Sequence, residues 1–319
     1  MHNKPTMLFI NNHDFYDYNF NIHLGFIVSL NKYFNIIEIG NSSGLFKKSV
    51  SEFSERSLRK ACRRFKPKVL LTYNSNGSSK GKENYNRFAF IKNVYKDLNV
   101  MKAHITTDHC REGDVFLQRK WFEDLGIDIA FFRHKNFKQH PVLSDSYWLP
   151  FSVDKSLFKR NSFSFDEKKN KIVFLGTTKG AVYKKRRKAI SFLRNKGNID
   201  DYKNVKIIGK DYVKTLSQYN FGLACGGTCN FFTAKYLEIL AAGTFLYCSD
   251  TDGLEIIPDE YHIKYDSENM AASYSRIKNL RLNLKHLKNT TDSAKEFVFR
   301  NHSNEVRGEF LLEKILEKT

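Results

Sequence analysis

FGLACGGTCNFFTAKYLEILAAGTFLYC, residues 221–248, decides the fold class. Residues 221–224 form a short apolar run, and Gly226 with Gly227 marks a tight turn. Apolar side chains then recur at helical spacing over 233–242 until Gly243 closes the pattern. A second apolar run over 244–248 follows at once. Strand, glycine turn, helix, glycine and strand make a βαβ unit, whose two strands are parallel.

The same rhythm extends in both directions. Upstream, 171–175 and 205–208 predict strands, and 183–195 and 211–218 predict helices. Further back, strands are expected over 7–10, 36–39, 69–73, 100–106 and 127–132. Helices are expected over 21–34, 55–65, 84–98 and 116–125. A corner at 148–151 and a polar stretch over 161–170 interrupt the alternation. Beyond Tyr265 the pattern is helical. It ends in a helix whose Val306, Phe310, Leu311, Leu312 and Ile315 form one apolar stripe. The prediction is two α/β units: residues 1–150, then 151–300. The segment 301–319 is a final helix packing back towards the first unit.

Bulk properties suit this organisation. The chain has 319 residues, enough for two domains, and 28 Phe with 16 Tyr to fill two cores. No apolar run reaches the length of a bilayer span, and residues 7–10 are too short for a leader core. The expected setting is therefore cytoplasmic, peripheral at a membrane, or in a phage-infected cell. Five scattered cysteines give no zinc or redox spacing and read as reduced thiols. The net charge of +19 is spread over both halves without a basic tail, and it favours polyanionic partners.

Two loops suit a nucleotide diphosphate, because ligands of open α/β sheets sit beyond the carboxyl ends of strands. In the first, residues 174–180 bring Gly176, Lys179 and Gly180 ahead of a helix that opens with Lys184, Lys185, Arg186 and Arg187. A plain turn before a solvated basic helix is the ordinary alternative. In the second, residues 225–230 bring Gly226, Gly227, Thr228 and Asn230 ahead of the helix carrying Lys235 and Glu238. Glu238 stands among Leu237, Ile239 and Leu240, so its carboxylate needs a partner. A ribose diol and a salt bridge with Lys235 both qualify.

Residues 236–246 together with 249–255 resemble the donor-site signature of GT-B glycosyltransferases, nearest the spore-maturation-like members of glycosyl transferases group 1. Residues 149–154 with Phe158, 174–176 with Tyr183 and Arg187, and 301–303 with Arg307 resemble further segments of that group in the same order. The likeness covers about 148–310. It implies two Rossmann-like domains facing across a cleft, an acceptor domain followed by a donor domain. It implies that Glu238 holds the donor ribose, that Gly176, Lys179 and Arg187 approach the pyrophosphate, and that Gly227 and Thr228 lie near the sugar or phosphates. Many retaining members carry a glutamate where this chain has Asn230.

The expected activity is transfer of a hexose or pentose from a nucleotide-diphosphate sugar, a UDP-sugar first, to an acceptor hydroxyl. An envelope glycan, a lipid-linked acceptor or DNA suits the charge. Asp108 and His109, after a predicted strand end, are candidates for acceptor chemistry. Asp108 can equally cap the next helix. His13 and Asp14 are weaker candidates of the same kind. Asp250 and Asp252 spell a metal-binding Asp-x-Asp, but in the GT-B loop context a turn is expected, with no metal and no further cofactor. The alternative from a different class is a non-catalytic GT-B-like module that binds a nucleotide sugar, a glycan or nucleic acid.

Overall fold

The computed structural model describes all residues except 1–3, 12–19, 41–48, 51–53, 75–91, 107–111, 136–142, 162, 204, 206, 228–229 and 319. The chain divides into two compact units. One is Met1–Pro150 with Arg307–Thr319, and the other is Phe151–Val306.

The first unit is built on a parallel sheet of seven strands. These are β1 (Thr6–Asn11), β2 (Asn35–Gly40), β3 (Ser49–Val50), β4 (Val69–Asn74), β5 (Met101–Thr106), β6 (Ile129–Phe132) and β7 (Ser146–Trp148), in the spatial order β3-β2-β1-β4-β5-β6-β7. Strand alternation is explicit in β1. Met7 and Phe9 enter one core with Phe26, Leu30, Val69 and Leu71, while Leu8 and Ile10 enter the other with Ile37, Leu58, Leu70 and Trp121. A sheet buried on both faces needs such near-continuous apolar strands. The final helix, Asn304–Leu316, places Leu311 and Ile315 in the first of these cores. A short strand not expected from the sequence, β7, precedes the corner expected over 148–151 and takes in its first residue, Trp148, because residues 146–148 pair in register with 130–132.

The second unit has a five-stranded parallel sheet. It comprises β8 (Lys169–Gly176), β9 (Ile199–Lys203), β10 (Tyr219–Ala224), β11 (Phe245–Ser249) and β12 (His262–Tyr265), ordered β12-β11-β10-β8-β9. Of the strand expected over 205–208, the described residues 205, 207 and 208 lie in no strand, and Val205 is exposed. The edge strand is the polar run Ile199–Lys203. Side-chain bonds compensate for its polarity: Lys171 pairs with Asp200 at 2.9 Å, Arg194 pairs with Asp201, and the Tyr202 and Tyr219 hydroxyls meet at 3.1 Å. In the centre, Gly222 lets the helix Ala234–Ala241 lie directly on β10. A Cβ there would stand 2.9 Å from two carbons of Ile239.

Candidate functional site

In the second unit the connections after β8 and β10 leave in opposite directions along the sheet, so the switch point falls between these two strands. Beyond their carboxyl ends lie the two loops singled out in the sequence, which start at Gly176 and Cys225. Such a crevice is where open α/β sheets take ligands.

Arg186 joins the two loops. It stands in the first turn of the helix Lys184–Asn195, on the buried face with Ala189, Ile190 and Leu193. Its Nη1 donates to Thr177 O at 2.7 Å and its Nη2 to Cys225 O at 2.9 Å. The guanidinium lies over the Tyr183 ring at 4.2 Å and the Phe174 ring at 5.6 Å. Arg187, at the exposed side, donates from Nη1 to Thr178 O at 2.9 Å and Gly180 O at 2.7 Å. Two adjacent arginines thus hold the carbonyls of one short loop. Lys179 is exposed, with its backbone N–H donating to Thr177 Oγ1 at 3.2 Å.

The second loop is packed tightly at its base. A Cβ on Gly226 would stand 2.5 Å from Thr251 Cγ2 and 2.6 Å from Phe231 O. Gly227 has φ +71° and Asn230 has φ +48°. Asparagine is among the few side chains that occupy this left-handed region readily, which suits it better than glutamate to position 230. Asn230 is exposed. Its Oδ1 accepts from Lys185 Nζ at 3.3 Å, and its carbonyl accepts from the Asp252 N–H at 3.1 Å. Thr228 lies outside the described residues, as do Asp108, His109, His13 and Asp14.

Glu238 is buried, with 6% of its surface exposed, in the helix Ala234–Ala241. Its Oε2 accepts from the Tyr212 hydroxyl at 2.7 Å, and that hydroxyl accepts from Lys235 Nζ at 3.0 Å. The two charges on the helix are therefore linked through a tyrosine. Burial raises the Glu238 pKa above the ordinary carboxyl value, while Lys235 and the Tyr212 hydrogen bond oppose the rise. Burial lowers Lys235 to about 8, opposed by Glu238 and assisted by Arg186. Lys235 also reaches the first loop, since a Cβ on Gly176 would stand 3.9 Å from its Cε. Gly176, Arg186, Lys235, Tyr212 and Glu238 thus form one continuous group. Positive charge lies at the loops and a hydroxyl-accepting carboxylate behind them.

Two members of this group escaped the sequence reading. Tyr212, in the helix Gly209–Ser217, carries no motif. Arg186 was one of five consecutive basic residues, yet its spacing of three, four and seven from Ala189, Ile190 and Leu193 was the available signal. Asp250 is exposed and stands 4.0 Å from Lys264, and Asp252 serves the loop through its backbone. Among the described residues no cluster of three or more His, Cys, Asp or Glu is placed to hold a metal.

No protein-family model matches the chain, and comparison with curated proteins finds no match. Solved structures match over nearly the whole length. A sucrose-phosphate synthase from Thermosynechococcus elongatus superposes with a TM-score of 0.65 at 10% identity, covering 99% of this chain and 100% of that one. HepE from Anabaena, in complex with UDP, gives 0.62 at 8% identity over 98% and 100% of the two chains. A Listeria monocytogenes protein provisionally assigned as a UDP-N-acetylglucosamine 2-epimerase gives 0.58 at 10% identity over 99% and 98%. With its two parallel α/β sheets matched from end to end, the chain has the GT-B fold.

Proposed function

We propose that the chain is a glycosyltransferase that moves a sugar from a nucleotide-diphosphate donor, a UDP-sugar first, to an acceptor hydroxyl. The observation that carries this reading is the coupled group at the β8/β10 switch point. There Lys235 and the Arg186-braced loops supply positive potential for a diphosphate, and Glu238 supplies an acceptor for ribose hydroxyls. A diphosphate leaving group needs positioning and charge stabilisation, which such a group provides without a metal. HepE, whose fold the chain shares, is solved with UDP, UDP with glucose, and UDP-glucose. The net charge of +19 favours a polyanionic acceptor: an envelope glycan, a lipid-linked acceptor or DNA.

Asn230 keeps a second reading in view, a module that binds a nucleotide sugar without transferring it. One experiment separates the two. The full chain is titrated with UDP, GDP, ADP and CMP sugars, and the tightest donor is then incubated alone with and without EDTA. Slow donor hydrolysis that survives chelation supports the transferase. Tight binding with no hydrolysis supports the module, and no binding of any nucleotide overturns both.

A further inference from the structure

The helices Ala271–Leu282 and Leu284–Asn301 meet at one residue, Asn283, with a leucine on each side of it. Leu282 is 87% exposed and Leu284 48%, and Leu282 is the most exposed large apolar side chain among the described residues. Single exposed leucines are ordinary. These two are neighbours in a segment of one-sided charge. Residues 269–291 contain Arg276, Lys278, Arg281, Lys285 and Lys288, with neither Asp nor Glu. Lys288 pairs with Asp292 at 2.9 Å, and Arg281 donates to Asn198 at 2.6 Å. The outward positive charge is therefore that of Arg276, Lys278 and Lys285, all exposed.

We propose that this corner docks the protein onto an anionic lipid surface, with Leu282 and Leu284 entering the interfacial layer and the cations meeting headgroup phosphates. Apolar tips bordered by Lys and Arg have this affinity, because each part satisfies a different layer of the membrane surface. Nucleic acid would use the cations and leave the leucines in water. Among the described residues no helix is long and apolar enough to cross a membrane. The corner borders a cavity of about 440 Å³ that also contains Asp259 and Glu260, and these carboxylates oppose docking. Phe245 and His262, in the same cavity wall, begin β11 and β12. The corner therefore belongs to the amino end of the sheet, opposite Gly176 and Cys225, and the inference stands apart from the donor-site reading.

The test is co-sedimentation of the full chain with phosphatidylcholine vesicles, with and without phosphatidylglycerol. Binding is expected only to the anionic vesicles. The double variant Leu282→Gln, Leu284→Gln should bind about tenfold less, and Asp259→Asn, Glu260→Gln should bind more tightly. Melting temperature and UDP affinity, measured on both variants, should match the parent. A leucine variant that sediments like the parent overturns the proposal. So does preference for duplex DNA over anionic vesicles at equal salt.

Discussion

The Tyr212 hydroxyl donates to Glu238 Oε2 at 2.7 Å while accepting from Lys235 Nζ at 3.0 Å. The carboxylate that the sequence offered either to a ribose or to Lys235 thus has a third partner 26 residues upstream, in the helix Gly209–Ser217 of the same unit. Tyrosine keeps the lysine and the glutamate in one network without a direct ion pair. A neutral hydroxyl between two partly desolvated charges lessens the cost of burying either.

Glu238→Gln retains an oxygen for Tyr212 and removes the negative charge. If Glu238 holds the donor ribose, UDP affinity should fall by about 1.5–3 kcal/mol, the range for a hydrogen bond to a charged group. Titration calorimetry measures this, and thermal denaturation of the same variant should move little. Unchanged affinity with lowered stability would make Glu238 a structural partner of Tyr212 and Lys235 alone.

Tyr212→Phe removes the donor and leaves a buried carboxylate oxygen unsatisfied, at a cost of about 1–3 kcal/mol in stability. A ribose hydroxyl could take the vacated place. Saturating UDP should then raise the melting temperature of the variant by more than it raises that of the parent. Equal increments in the two proteins would show that nucleotide and tyrosine do not share the carboxylate.

Much of the fold was legible because local signals agreed. The glycine-bounded helix before Phe245 and the paired apolar strands required parallel βαβ units. The edge of the second sheet was not legible. Ile199–Lys203 is polar, and its pairing is supported by side-chain bonds from Lys171, Arg194 and Tyr219, all outside the strand and 29, 7 and 19 residues from their partners. The more apolar 205–208 drew the prediction instead. The site divides in the same way. Glu238 was conspicuous as a charge in an apolar helix. Tyr212 was not, because a tyrosine on an amphipathic helix is ordinary core material until its partners are known.

Arg186 should prove more important for folding than Arg187, though the two are adjacent. Arg186 is buried and donates to carbonyls of both loops, whereas Arg187 is exposed and serves only the first. Arg186→Met should cost at least about 1.5–3 kcal/mol, the range for one hydrogen bond made by a charged group. At about 2–4 °C per kcal/mol for a domain of this size, the melting temperature should drop visibly. Arg187→Met should stay within about 0.5 kcal/mol of the parent, as surface changes usually do. Comparable losses in the two variants would refute the assignment of Arg186 as the brace between the loops.

The pH dependence offers a test in which stability and binding move in opposite directions. Burial lowers the Lys235 pKa to about 8 in the folded chain, below the ordinary lysine value of 10.5. Lys168, whose ammonium donates to Ala242 O and Gly243 O, is also lowered to about 8 by burial. Below about pH 8 both lysines are charged folded and unfolded, and the folded state bears the burial cost in full. Between about 8 and 10.5 the unfolded chain keeps protons that the folded chain has released, so these two groups make stability rise with pH. Lys235→Met should remove its share of the rise and be the more stable protein at neutral pH. Donor binding should do the reverse. A protonated Lys235 beside Gly176 attracts phosphate, so UDP affinity should fall as pH climbs through about 8, and Lys235→Met should flatten that fall. Urea denaturation and UDP titration across this range check both signs on the same samples. A UDP affinity that ignores pH while the stability rise is present would place Lys235 in the fold and outside the phosphate site.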